Sequence, residues 1–143
     1  MSASGLAAHL GSRHVWRTEV RREHTVPALP VAFPGLATMP EVLATPLLVG
    51  MAECACAEHL ATLIGAEQLS LGTEVVIAHT AATPVGLTIT LTTELMAVDG
   101  RSVTFAFSAH DGLDEAGRGR HTRMLVGRER FAQRLAEKRA RGS

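Results

Sequence analysis

The stretch TPLLVGMAECACAEHLATLIG, Thr45 to Gly65, constrains the fold more than any other part of the chain. On a helical wheel its first half is apolar all round. Leu47, Leu48, Val49, Met51, Ala52 and Ala55 leave little room for a polar face. Leu60, Leu63 and Ile64 continue the apolar run. Thr45 can cap such a helix, and Pro46 suits its first turn, where a missing N–H has no partner to lose. Gly65 is a natural stop, so the expected helix runs from Thr45 to about Ile64. Such a helix is stable in water only when other elements wrap it. From Thr45 to Ala57 its single charged residue is Glu53.

The wrapping material follows in sequence. After Gly65 the pattern changes from helical to alternating. Thr73 to Thr80 (TEVVIAHT) is apolar on both faces in its middle, as a central strand would be. Gly86 to Val98 sets Leu87, Ile89, Leu91 and Leu95 against Thr88, Thr90, Thr92 and Glu94. Asp99-Gly100 predicts a type I′ hairpin turn, with positive φ at both central residues. Arg101 to His110 returns with Val103, Phe105 and Phe107 on one face. Asp111 to Gly117 is a further turn region, and Gly119 to Val126 is the last strand. Upstream, HVWRTEVRR (His14–Arg22) alternates as an edge strand with one wet face. One long helix cradled by a curved antiparallel sheet is an α+β, hot-dog arrangement. A sheet partly apolar on both faces, in so small a domain, points to a homodimer.

Between the first strand and the helix lies VPALPVAFPGLATMPEVLATP. Pro27, Pro30, Pro34, Pro40 and Pro46 forbid a long regular element there. Yet the segment carries Leu29, Val31, Phe33, Leu36, Met39, Val42 and Leu43, so it must cover something. It is either a lid over a pocket or a plug at the end of the core. Residues 1–13 read as a frayed tail, 14–132 as the folded domain and 133–143 as a charged helical tail. In the helix from Arg128 to Arg141, Phe131 and Leu135 are the only apolar contact line.

Composition narrows the function. The 143 residues carry 14 basic and 14 acidic side chains, a balance that argues against a nucleic-acid binder. Aromatics make up 3%, too few for base stacking. No segment has the ~18 consecutive apolar residues of a membrane span. MSASGLAAHLGSRH lacks the basic start and apolar run of a signal peptide. Cys54 and Cys56 are two residues apart on the expected helix and diverge by about 200°, so they read as reduced thiols in a cytoplasmic protein.

Glu53 is the first candidate for chemistry. Its helical neighbours Val49, Gly50, Cys56, Ala57 and Leu60 offer no partner for a carboxylate. It must find a donor elsewhere or hold its proton, and a carboxylate so placed can act as base or nucleophile. The alternative is a Glu that reaches a loop N–H or an Arg at the core edge. His79 shares a strand face with Val75 and Ile77, as a core histidine or as a catalyst near a strand end. Thr45 lies eight residues before Glu53, ~12 Å along the helix axis, so the two could flank a substrate lying along the helix start. Arg123, on the face of Gly119, His121 and Leu125, is either a surface arginine or a cation for an anionic group. The Cys54, Cys56, Glu58 and His59 group lacks a second ligand pair, so no metal site is expected.

Three stretches, TPLLVGMAECAC, LGTEVVIAHTAATPVGLTIT and SAHDGLDEAGRGRHTR, resemble the hot-dog acyl-CoA thioesterases of the fluoroacetyl-CoA thioesterase type. The resemblance runs from about Val15 to Phe131. It implies that the catalytic threonine, glutamate and histidine fall on Thr45, Glu53 and His79. It also implies that a glycine near the substrate falls on Gly72 and a sheet arginine on Arg123. The implied reaction is hydrolysis of an acyl-CoA to a carboxylate and coenzyme A, by a dimer with its sites near the subunit interface. No cofactor is implied, since coenzyme A is part of the substrate.

The chain departs from that family at the lid. Leu36 and Met39 stand where fluoroacetyl-selective members place two phenylalanines, with Phe33 three residues out of register. Pro46 replaces a glycine. A small or medium acyl group is therefore expected, with fluoroacetyl-CoA the named candidate. The alternative is a hot-dog protein that binds acyl-CoA or a small apolar acid without turning it over.

Overall fold

The computed structural model describes residues 3–30 and 33–143. Val31 of the apolar segment and the first two residues of the expected tail lie outside them. The elements run α1 (Ala3–Leu6), β1 (Arg13–Glu19), α2 (Thr45–Ala61), β2 (Gln68–His79), β3 (Thr88–Asp99), β4 (Ser102–His110), β5 (Glu115–Gly127) and α3 (Arg128–Gly142). The strands form one antiparallel sheet in the order β1-β3-β4-β5-β2. The α2 helix packs on its inner face, the helix-on-sheet arrangement expected from its apolar circumference.

That circumference is used along its length. Leu48, Met51, Ala52 and Ala55 enter one core cluster with Ile89, Leu91 and Phe107. Cys56 and Leu60 enter a second with Leu95, Val103, Phe105 and Leu125. Ala44, not Thr45, is the N-cap residue; its carbonyl accepts from Leu47 and Leu48, both at 3.0 Å. Thr45 is already helical, so its hydroxyl is left free for another partner. The helix stops at Ala61, short of Ile64, where the Thr62 hydroxyl donates to the His59 carbonyl at 2.6 Å. A side-chain bond back to the helix in this way competes with continuation.

Three sequence expectations give way here. First, β2 reads as a central strand but is an edge: it pairs only with β5, and Val76 is 52% exposed. Second, the tight turn uses Gly100 and Arg101, because Asp99 already pairs with Ser102. Only Gly100 has positive φ, +59°, so the turn is not type I′. Third, the stretch expected to be a frayed tail is anchored at Leu6. Leu6 is 0% exposed inside the second cluster. Gly11 then turns the chain at φ +86°, its N–H donating to the Leu95 carbonyl at 2.8 Å, and leads into β1. The tertiary reason is that Leu6 joins the cluster that Cys56 and Leu60 of α2 form with the sheet.

At the other end, α3 is one continuous helix from Arg128, so the boundary expected at 132/133 falls inside it. Phe131 is half-buried and Leu135 faces solvent.

Leu6→Ala is expected to destabilise the fold by about 2–5 kcal/mol, as deletion of a fully buried leucine does. Equilibrium denaturant unfolding measures it; a loss under about 1 kcal/mol would mean that the N-terminal segment is not part of the core.

Candidate functional site

Thr45 opens α2 and His79 closes β2, and the fold brings these two ends together. The Thr45 hydroxyl lies 2.7 Å from His79 Nδ1. With Ala44 as the cap, this hydroxyl has no capping duty. His79 Nε2 is buried with no protein partner among the described residues. Burial holds the His79 pKa below its ordinary value of 6.5, the influence of the Ala81 backbone only partly opposing it. The ring is therefore neutral near pH 7.

A cleft of about 280 Å³ opens over this pair. Val26, Met39 and Val42 wall it from the proline-marked segment, and Thr80, Ala81 and Ala82 from the end of β2. A neighbouring cleft of about 370 Å³ holds Leu29, Phe33 and Leu36, with Val26 common to both. The lid residues expected from the sequence thus divide: Met39 reaches the Thr45–His79 pair, while Phe33 and Leu36 line the next cleft. The segment is pinned by bridges from Thr25 to Leu43 and from Val42 to Pro84.

Glu53 belongs to a second group. It lies on α2 eight residues past Thr45, half-buried. Its Oε1 stands 2.8 Å from the point where a Cβ on Gly72 would lie. His121 Cε1 is 3.1 Å and Arg123 Nη1 3.4 Å from the same point. Gly72 pairs directly with Arg123 across the sheet and precedes a bulge in which Thr73 is the extra residue. The absence of a side chain at Gly72 is what lets the carboxylate, the imidazole and the guanidinium converge.

Arg123 is buried at 8% exposure. Its Nε donates to Ser70 Oγ at 2.8 Å and its Nη2 to the Ser70 carbonyl at 2.8 Å. Its Nη1 donates to His121 Nε2 at 3.0 Å. The ion pairs found among the described residues, Arg13–Glu94, Arg22–Glu41 and Arg118–Glu115, do not include it. Burial pulls the guanidinium pKa down, and Glu53 pulls it back up. An arginine stays charged through such shifts.

Two of the three residues expected to act together are bonded, Thr45 and His79. Glu53 instead groups with Gly72 and Arg123. Sequence reasoning placed His121 on the face of Arg123 but gave it no task; two inward residues at i and i+2 were the available signal. The sulfur and imidazole neighbours of Glu53 go elsewhere. Cys56 is a core residue whose thiol burial pushes up to about 12. The Cys54 thiol donates to Glu58 at 3.9 Å. His59 is buried between Ser12 Oγ at 3.0 Å and Thr93 Oγ1 at 2.9 Å, stacked near His14. Among the described residues no three His, Cys, Asp or Glu side chains are placed to hold a metal ion.

The wrapped helix and the open sheet edge define a hot-dog domain. A hot-dog-like protein from Thermanaerovibrio acidaminovorans shares the fold at 19% identity, with a TM-score of 0.78 over 90% of this chain and 91% of that one. Similarity at the level of sequence is narrower. The fluoroacetyl-CoA thioesterase of Streptantibioticus cattleyicolor is 41% identical over 129 residues, 90% of this chain and 93% of that protein. A variant of the fluoroacetyl-CoA-specific thioesterase FlK, solved with fluoroacetate and CoA, is 43% identical with a TM-score of 0.81, over 85% of this chain and 98% of that one. The family model for fluoroacetyl-CoA-specific thioesterase matches residues 20–129, and the chain belongs to that family.

A methyl group at position 72 would meet the end of the flexible Glu53 side chain, which can swing away cheaply, and the His121 ring at 3.1 Å, which must give by a few tenths of an ångström. Gly72→Ala is therefore expected to keep its stability within about 1 kcal/mol while displacing the Glu53 carboxylate. Thermal unfolding and a crystal structure of the variant check both halves; an unmoved carboxylate would refute the close approach.

Proposed function

We propose that the chain is an acyl-CoA thioesterase that hydrolyses a small or medium acyl thioester, with fluoroacetyl-CoA the leading candidate. The observation that carries this reading is the 2.7 Å Thr45–His79 bond under the lid, with Glu53 farther along the same helix. Glu53, beside Gly72, and the Thr45–His79 pair, at the far end of β2, lie ~20 Å apart in one protomer, so on this reading they meet at one thioester carbonyl across a dimer. Water, activated by Glu53, or the Glu53 carboxylate itself, attacks the thioester carbonyl. Neutral His79 moves protons between water and the leaving thiolate, and Thr45 orients the carbonyl or the imidazole. The buried positive charge of Arg123 stabilises negative charge that develops nearby. The products are the free acid and coenzyme A, and we propose no bound cofactor.

The acyl group follows from the lid. The 41% identical protein is a fluoroacetyl-CoA thioesterase, and the 43% identical variant is solved with fluoroacetate and CoA. Leu36 and Met39 are flexible side chains, both partly exposed, and suit a broader range of short acyl groups.

We further propose a homodimer joined along β2. This strand leaves one side unpaired, and such an edge pairs with another chain unless something blocks it. Its apolar pattern on both faces, unusual for an edge, is that of the middle of a longer sheet. No helix among the described residues is long and apolar enough to cross a membrane. The two free thiols fit a reducing cytoplasm.

Glu53→Gln is expected to lower kcat at least ~100-fold while the variant folds normally. Thiol release from acetyl-, fluoroacetyl-, malonyl- and longer acyl-CoAs measures it, and a fully active variant would remove Glu53 from the reaction. Coenzyme A binding without thiol release from any thioester would favour a binding protein. The pH profile carries a second test. His79 works as the neutral ring, and its pKa is depressed. Activity should hold at neutral pH and fall as pH drops through that depressed value, so the acid limb of kcat/KM lies below 6.5. An acid limb above 6.5 would show that a neutral His79 is not what the reaction needs.

A further inference from the structure

We infer that His121 is a positioning residue for the reaction: its neutral imidazole holds the Arg123 guanidinium against Gly72 and Glu53 without cancelling its charge. The inference rests on the thioesterase reading above and adds to it a residue that acts through Arg123.

The hydrogen bonds determine the state of the ring. His121 Nδ1 lies 2.8 Å from the Glu74 carbonyl oxygen, which can only accept, so Nδ1 carries the proton. Arg123 Nη1 lies 3.0 Å from Nε2 and can only donate, so Nε2 is a bare lone pair. A protonated ring would set N–H against N–H and two positive charges at that separation. The surroundings agree. Burial is the largest influence and lowers the His121 pKa, Arg123 on the same strand lowers it further, and the Glu74 carbonyl of β2 and Glu53 of α2 oppose them. From α2, Cys56 beside Arg123 stays a thiol, and from β4 the residue opposite is the uncharged Phe105.

The choice of acceptor matters. A buried guanidinium needs its N–H groups satisfied. Here Ser70 Oγ, the Ser70 carbonyl and His121 Nε2 take three of its five N–H groups, and all three acceptors are neutral. A carboxylate at position 121 would form an ion pair and spend the charge. A neutral imidazole fixes the geometry and leaves the positive field directed at Glu53 and the reacting carbonyl. Nδ1 ties the same ring to the bulge after Gly72, so one side chain registers the bulge, the glycine and the arginine together.

Two substitutions separate the two ends of the ring. His121→Asn keeps an amide near Nδ1 for the Glu74 carbonyl but is too short to reach Arg123. His121→Gln places a carbonyl oxygen near Nε2, where Arg123 can donate to it. Thiol release is expected to show kcat about tenfold lower in His121→Asn with little change in KM, and most of that loss recovered in His121→Gln. In an Arg123→Gln background, His121→Asn should cost less than about twofold more, since the two residues act as a unit. Nitrogen-15 NMR of the wild-type ring at neutral pH should show the Nδ1-protonated neutral form, with the Nε2 resonance shifting in Arg123→Gln. Backbone amide nitrogen-15 spectra report that each variant is folded. A fully active His121→Asn, losses that multiply in the double variant, or a cationic or Nε2-protonated ring would each overturn the inference. A wild-type protein that releases no thiol would instead remove the thioesterase reading, and with it any reaction for His121 to serve.

Discussion

The structure depends on covering a helix that has almost no polar side. Placing α2 against a sheet buries only part of its circumference, and the rest must be closed by other means. Three elements do so. The sheet takes Leu48, Met51, Ala52 and Ala55, the N-terminal segment brings Leu6 over Cys56 and Leu60, and the proline-marked segment runs across the helix start. The last cover is the loosest, because prolines deny it a regular hydrogen-bonding pattern. A cleft survives between this segment and the start of α2. The candidate site occupies the seam that the wrapping leaves.

Polar groups inside this core are satisfied in two different ways. His59 is closed off: two hydroxyls occupy its ring nitrogens, and it holds β1, β3 and α2 together. His79 is half-satisfied, bonded at Nδ1 to Thr45 and unpartnered at Nε2. Buried polar atoms are nearly always paired, so an orphaned nitrogen beside a cleft makes His79 a candidate for chemistry. Arg123 shows a third condition: its hydrogen bonds go to neutral acceptors, and the opposite charge that faces it is the Glu53 carboxylate, which it does not bond. That separation is possible because hydrogen bonding needs only lone pairs, whereas neutralisation needs an opposite charge.

Particular residues show how far the sequence can be read. The strands were legible because alternation over Leu87, Ile89 and Leu91, or Val103, Phe105 and Phe107, has one structural meaning. Glu53 was legible as a lone charge in an apolar run, and His79 as an imidazole among apolar neighbours. Thr45 was misread locally: its type and position suit a cap, but Ala44 takes that place and frees the hydroxyl. Leu6 was missed because two leucines among small residues, Leu6 and Leu10, are too few to show which is buried, and only Leu6 is. The β2 edge was misread because burial pattern reports what covers a strand, not which strands lie beside it. His121 was visible but mute, since its value depends on a glycine from another strand and a carboxylate from a helix.

Local pattern and composition were sufficient to establish the all-round apolar helix, the strands and their facing, and a carboxylate and an imidazole set among apolar neighbours. These follow from interactions between residues a few positions apart. Which of those residues meet was a tertiary matter. The 2.7 Å approach of Thr45 to His79 spans 34 positions, and the convergence of Glu53, Gly72, His121 and Arg123 joins a helix to two strands. Periodicity carries no information on such distances. They are set by the crossover that takes β2 to the far edge beside β5, and by the bulge that turns its Gly72 toward the helix.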